Sequence, residues 1–99
     1  MNKDEIELED NAEKSRFQFD LDGQLGLVEY ILVKNQIYLT HTEVPESLGG
    51  RGYGSQIVKL ALENIKSRGL KLIPQCPFVV AYIEKNPQWQ EILDPIAKK

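Results

Sequence analysis

Four glycines, Gly49, Gly50, Gly52 and Gly54, fall within six consecutive positions, with an extended pattern ahead of them and a helical pattern directly behind. No other stretch constrains the fold as tightly. A strand must hand over to a helix there through a loop almost stripped of side chains. The first N–H groups of a helix have no intrahelical partner, and the helix dipole is positive at that end. Bare amides at a positive helix end make an anion site, most often for phosphate. A turn that only reverses the chain also uses glycine, so the flanking residues decide between the two.

The first half of the chain has the period of strands. Residues 5–9 alternate weakly and suggest an edge strand. In residues 16–21, Phe17, Phe19 and Leu21 share one face, and Asp22-Gly23 signals a hairpin. Residues 25–33 form a long apolar run broken by Glu29, as expected of a central strand, and Lys34-Asn35 makes the next turn. Residues 37–44 follow, with Ile37, Leu39, His41 and Glu43 assigned to one face and Tyr38, Thr40, Thr42 and Val44 to the other. Pro45 ends that strand.

The period changes after the glycines. Ile57, Leu60, Ala61 and Ile65 stand three and four residues apart, predicting a helix over residues 54–67 with Gly69 at its stop. Residues 70–75 form a short strand. Pro77 suits the first position of a second helix that runs to Asn86, beside Cys76 at its N-cap. Pro87 breaks that helix, and Trp89, Ile92 and Leu93 predict one more apolar turn. The expected class is α+β (α/β), an antiparallel meander followed by strand, loop, helix, strand and helix. A single domain spans residues 1–99, with its core at about 6–94. The crossover lays strand 70–75 parallel to strand 37–44.

Bulk properties exclude several classes. A net charge of −3 offers no general attraction to nucleic acid or to an anionic membrane, so a phosphate site has to be local. No apolar run is long enough to span a bilayer. Met1, Asn2, Lys3, Asp4 and Glu5 lack the basic-then-apolar layout of a signal peptide. Cys76 is the single cysteine, which excludes an internal disulfide and favours a reducing cytoplasm. With one histidine and one cysteine the chain has no zinc-type spacing, and no metal is expected. A monomer is the expected state.

The glycines do not form a Walker A loop, because Ser55-Gln56 stands where Lys-Ser/Thr is required. They do not form a dinucleotide fingerprint either, since a meander precedes them and no acid ends the next strand. Gly52-Tyr53-Gly54, after a strand and before a helix, instead resembles the G-x-G/A part of the R/Q-x-x-G-x-G/A motif of Gcn5-related N-acetyltransferases (GNAT). Gly49 stands where that family usually has Arg or Gln, and Arg51 offers charge in its place. There is no room for the two helices that full-length members insert between their first strands. His41, Thr42, the loop and Cys76-Pro77-Phe78 together resemble the minimal GNAT-like group of about one hundred residues, often called the YjdJ type.

That resemblance implies acetyl-coenzyme A as ligand, an amine or protein acceptor, and cysteine and histidine as candidate catalytic residues. The pyrophosphate would lie on the loop formed by Gly49, Gly50, Arg51, Gly52, Tyr53, Gly54 and Ser55. The pantetheine arm would run between two parallel strands that splay apart, pairing with backbone near Thr42, Glu43 and Val44. Cys76, at a helix start that favours its thiolate, would attack the thioester, with His41 as base for the thiol or the incoming amine. Direct attack by the amine is the competing route, and Tyr82 would then protonate the leaving thiolate. Glu29, Glu43 and Glu46 rank lower as bases acting through water. Each candidate has a plainer reading: Cys76 as a small buried apolar group, His41 as a hydrogen-bonded strand end, Tyr82 as an amphipathic core residue. The leading function is therefore an acetyl-coenzyme A-dependent N-acetyltransferase. A coenzyme A-binding module without catalysis is the alternative, and a structural domain whose loop binds nothing is a third.

Overall fold

The computed structural model describes residues 6–98. Four strands, β1 (Leu8–Asn11), β2 (Arg16–Leu21), β3 (Gln24–Val33) and β4 (Gln36–Glu43), form an antiparallel meander. A 3-10 turn at Glu46–Leu48 and the glycine loop lead into helix α1 (Tyr53–Ser67). Strand β5 (Lys71–Pro74) then adds to β4 in parallel, giving the sheet order β1-β2-β3-β4-β5. Helix α2 (Pro77–Lys85) and two 3-10 turns, Pro87–Ile92 and Pro95–Ala97, complete the chain. The expected α+β order is thus the one found.

Local chemistry explains the first turns. Asp22 and Gly23 both have positive φ, 57° and 84°, which is the type I′ geometry that matches strand twist. The Asp20 carboxylate accepts the Gly23 N–H at 2.7 Å and closes the turn. Phe17, Phe19 and Leu21 point inward from β2 and are almost fully buried. The edge strand lies later than residues 5–9, at Leu8–Asn11. Its register is set from the other end, where the Asn11 side chain accepts the Lys14 N–H and Asn11 pairs with Arg16. Residues 1–5 lie outside those described.

Helix α1 covers one face of the sheet. Ile57, Val58, Ala61, Leu62 and Ile65 are completely buried against it. The helix stops at Gly69, whose φ of 68° suits the left-handed position. There the Leu70 N–H bonds to Ile65 O and the Gly69 N–H to Lys66 O, the paired bonds of a Schellman motif. At the far edge Tyr30 on β3 donates to Asp10 on β1 at 2.6 Å, and Arg68 at the end of α1 donates to the same carboxylate at 3.1 Å. Burial, then the Asp10 bond, pushes the Tyr30 phenol up to about 12. The hydroxyl therefore stays a donor, and the meander remains tied to the helix. Among the described residues no helix is long and apolar enough to cross a membrane.

The assignment of faces on β4 is corrected by the structure. Strict alternation places Leu39 and His41 on one side. In the observed register Tyr30 faces Leu39, but Glu29 faces His41 and Val28 faces Thr42, which leaves Thr40 as an extra residue in β4. The Thr40 hydroxyl donates to Glu29 O at 3.3 Å within this β-bulge. Beyond the bulge the two faces exchange. Thr42 and Val44 join the side of Val28 and the core, while His41 and Glu43 turn to the outer face of the sheet.

The C-terminal segment runs along the free edge of β5. Leu93 bridges Leu72, and the Asp94 N–H donates to Leu72 O at 2.8 Å. The Asp94 carboxylate accepts from Gln36 at 3.0 Å and from the Ile96 N–H at 3.0 Å. The Gln36 bond and then the Ile96 bond hold its pKa below the usual carboxylate value; burial opposes them and Lys71 assists. A carboxyl lowered in this way adds stability above its unfolded pKa and loses it as pH falls through the lower folded value. Asp94→Asn should therefore be less stable than wild type near neutrality. The gap should narrow as urea unfolding is repeated below the ordinary carboxylate range.

Candidate functional site

The parallel pairing of β4 with β5 is short. It runs from Gln36 opposite Lys71 to Leu39 opposite Pro74. Leu39 O then accepts two N–H groups, from Gln75 at 2.9 Å and from Cys76 at 3.0 Å. Past that point the chain enters α2, while β4 continues through residues 40–43 with β3 as its strand partner. The two strands splay, and the edge of β4 facing the gap has no strand on it among the described residues.

Beside the gap lies a cleft of about 360 Å³, lined by Thr42 and Val44 of β4, Leu48, Gly49, Gly50, Gly52, Tyr53, Gly54, Ser55 and Phe78. Gly50 and Gly52 have φ of 79° and 80°, where an L side chain is strained. Gly52 is the N-cap of α1 and offers no side-chain cap, and the first turn of α1 carries no acid. The amides of Gly54 and Ser55 stand in that first turn, where a helix supplies no acceptor. Among the described residues no carboxylate lines the cleft. An anion entering it would meet N–H donors and no negative side chain. Gly49 is in extended conformation (φ −62°), so its backbone does not require glycine. Arg51 belongs to the loop between the two left-handed glycines but not to the lining.

Cys76 is the N-cap residue of α2 and is 5% exposed. Its sulfur lies 3.5 Å from Thr42 Oγ1, a contact that the bulge makes by turning Thr42 inward. Burial pushes the thiol pKa up. The Thr42 hydroxyl and the backbone N–H groups of Val79, Phe78 and Thr42 more than offset it, so the net shift is downward. Phe78 and Val79 lie in the first turn of α2, and their N–H groups act on the sulfur without closing a full capping hydrogen bond. The stabilisation is spread over several weak donors, with Thr42 the strongest.

The other candidates stand apart. His41 lies on the outer face, where Nε2 contacts Glu43 Oε1 at 3.2 Å, the two side chains being 53% and 61% exposed. The geometry brings Cys76 together with Thr42, and not with His41. Glu43 is absent from the cleft lining, so any part it takes there falls to its backbone. Glu29 pairs with His41 across β3 and β4 on the same outer face. Tyr82 is not among the residues that line the cleft; burial, then Glu63, pushes its pKa up against a lowering by Trp89. Among the described residues no cluster of His, Cys, Asp and Glu could hold a metal ion.

Two lining residues were not anticipated from the sequence. Leu48 and Phe78 supply apolar walls at opposite ends of the loop. Leu48 had no signal beyond its place next to the glycines. For Phe78 the cue was Gly54, whose absent side chain leaves room for the ring.

A family profile described as GCN5-related N-acetyl-transferase matches residues 16–92, more than three quarters of the sequence. The chain belongs to the Gcn5-related N-acetyltransferase family. Protein NATD1 of Xenopus tropicalis is 31% identical over 96 residues, covering 91% of this chain and 87% of its own length. Protein NATD1 of Homo sapiens is 32% identical over 96 residues, covering 91% and 84%. A GCN5-like protein of Staphylococcus aureus, solved by NMR, superposes with a TM-score of 0.66 at 29% identity over 95% of this chain and 91% of that one. The small α+β fold is therefore that of a GNAT domain.

Two substitutions probe the site. Thr42→Val keeps the shape of the side chain and removes the hydroxyl beside the sulfur. The thiolate ultraviolet absorbance of Cys76 should then appear at higher pH than in wild type, with Cys76→Ser as the blank. Gly52→Ala should cost about 1–2 kcal/mol of folding stability through its left-handed φ, read by urea unfolding.

Proposed function

We propose that the protein is an acetyl-coenzyme A-dependent N-acetyltransferase that transfers acetyl to an amine. The observation that carries this reading is the cleft: neutral, amide-lined at one end, and leading to the strand gap beside Thr42 and Cys76. The pyrophosphate lies on the loop from Gly49 to Ser55, with Arg51 adding charge from outside. The pantetheine arm follows Thr42 and Val44 and uses backbone on the open edge of β4, Glu43 included, as an added strand would. The thioester then sits in the gap, close to Thr42 and Cys76.

The two faces suit different roles. From the inner side Cys76 can attack the thioester carbonyl as thiolate. The C–S bond to coenzyme A breaks, and acetyl-Cys76 and free coenzyme A result. An amine arriving on the outer face forms the new C–N bond and returns the thiolate, and the His41–Glu43 pair takes the proton that the ammonium loses. The same pair serves direct attack on acetyl-coenzyme A, where the leaving coenzyme A thiolate takes up a proton. Neither route, as proposed, calls on Tyr82. A second reading, a coenzyme A-binding module without transfer, draws on the separation of Cys76 from His41.

Intact mass after incubation with acetyl-coenzyme A tests the proposal. Wild type should gain one acetyl group and Cys76→Ala none, and the label should leave on addition of an amine acceptor. His41→Gln should keep the label but slow its transfer by about 100-fold, the scale of a lost general base. No label and no turnover in a protein that still binds coenzyme A would support the binding module instead.

A further inference from the structure

Phe78 has no role in the chemistry above, yet its placement is unusual for a core aromatic. It occupies the first turn of α2, two residues after Cys76, and is 44% exposed, while Val79 and Ile83 of the same helix are buried. Its ring points at α1. A Cβ added to Gly54 would stand 2.7 Å from Phe78 Cζ and 3.3 and 3.4 Å from the two Cε atoms. Gly54 has helical backbone and no conformational need for glycine. What its missing side chain provides is the seat of the ring.

The ring therefore borders the end of the glycine loop. It forms the α2 wall of the cleft, which Thr42, Val44 and Leu48 also line. A ligand that runs from the loop to Thr42, whose hydroxyl lies 3.5 Å from the Cys76 sulfur, meets this aromatic surface. Pantetheine, a flexible chain of alternating apolar and amide segments, gains apolar burial from an aromatic wall. The nucleotide end, held by amides, gains little from it.

We infer that Phe78 recognises the pantetheine arm of coenzyme A, seated there by the absent side chain of Gly54. This rests on the coenzyme A reading above. The step is binding alone and involves no bond change.

The test compares two ligands by calorimetry: coenzyme A, and 3′-phosphoadenosine 5′-diphosphate, the same nucleotide without pantetheine. Phe78→Ala should weaken coenzyme A by about tenfold and leave the arm-less nucleotide within roughly twofold, since lost apolar contact falls on the arm alone. Phe78 is surface-exposed, so the variant is expected to fold, and far-ultraviolet circular dichroism checks it. Phe78→Leu, which keeps an apolar side chain but not the ring, should lose less affinity for coenzyme A than Phe78→Ala and likewise spare the arm-less nucleotide. Equal weakening of both ligands, or of neither, would overturn the role of Phe78 while leaving coenzyme A binding in place. Binding of neither ligand by wild type would overturn the coenzyme A reading itself, and this inference with it.

Discussion

The arrangement depends on one carbonyl. Leu39 O accepts both the Gln75 and the Cys76 N–H, which holds the end of β5 against β4 at the last residue before the strands part. Pro74, directly ahead, has no N–H to extend a ladder, and Pro77, directly behind, starts a helix. Pairing therefore ends within four residues, and the gap that follows is a consequence of chain chemistry. The cysteine sits at the apex of the gap because it is the last residue that the carbonyl holds.

The β-bulge at Thr40 decides which groups meet there. One extra residue exchanges the faces of β4, and with them the partners of Cys76. Thr42 reaches the sulfur, and His41 joins Glu43 and Glu29 on the other side of the sheet. Without the bulge the imidazole would face the helices and the hydroxyl would face outward. The bulge thus separates a thiolate-favouring environment on one face from a histidine–carboxylate pair on the other, the separation on which the proposed transfer is built.

The loop and its surroundings act together for a related reason. Two left-handed glycines, Gly50 and Gly52, turn the chain so that the start of α1 faces the cleft. Gly54 then leaves room for a ring from α2. Three glycines thus serve two purposes: two are required by φ, and the third by a neighbour that is distant in sequence.

Much of the fold was legible from period and punctuation. The inward Phe17, Phe19 and Leu21, the Asp22-Gly23 turn, the α1 stripe, the Gly69 stop and Pro77 at the head of α2 all follow from neighbouring residues, and all were found. Local signals encode such features because hydrogen bonds and side-chain periodicity within a few residues determine them. The loop glycines and the cysteine at the helix start were legible for the same reason. The edge strand was misplaced because its register is set by a turn that binds through the Asn11 side chain. Neighbouring residues alone dictate the strand–loop–helix order, the loop bare of side chains and the residues that flank the gap. That Thr42 rather than His41 meets Cys76, and that Phe78 walls the cleft, emerges only once the chain is folded. A bulge and an interhelix contact depend on pairing between segments far apart in the chain, and side-chain period within one strand carries no record of it.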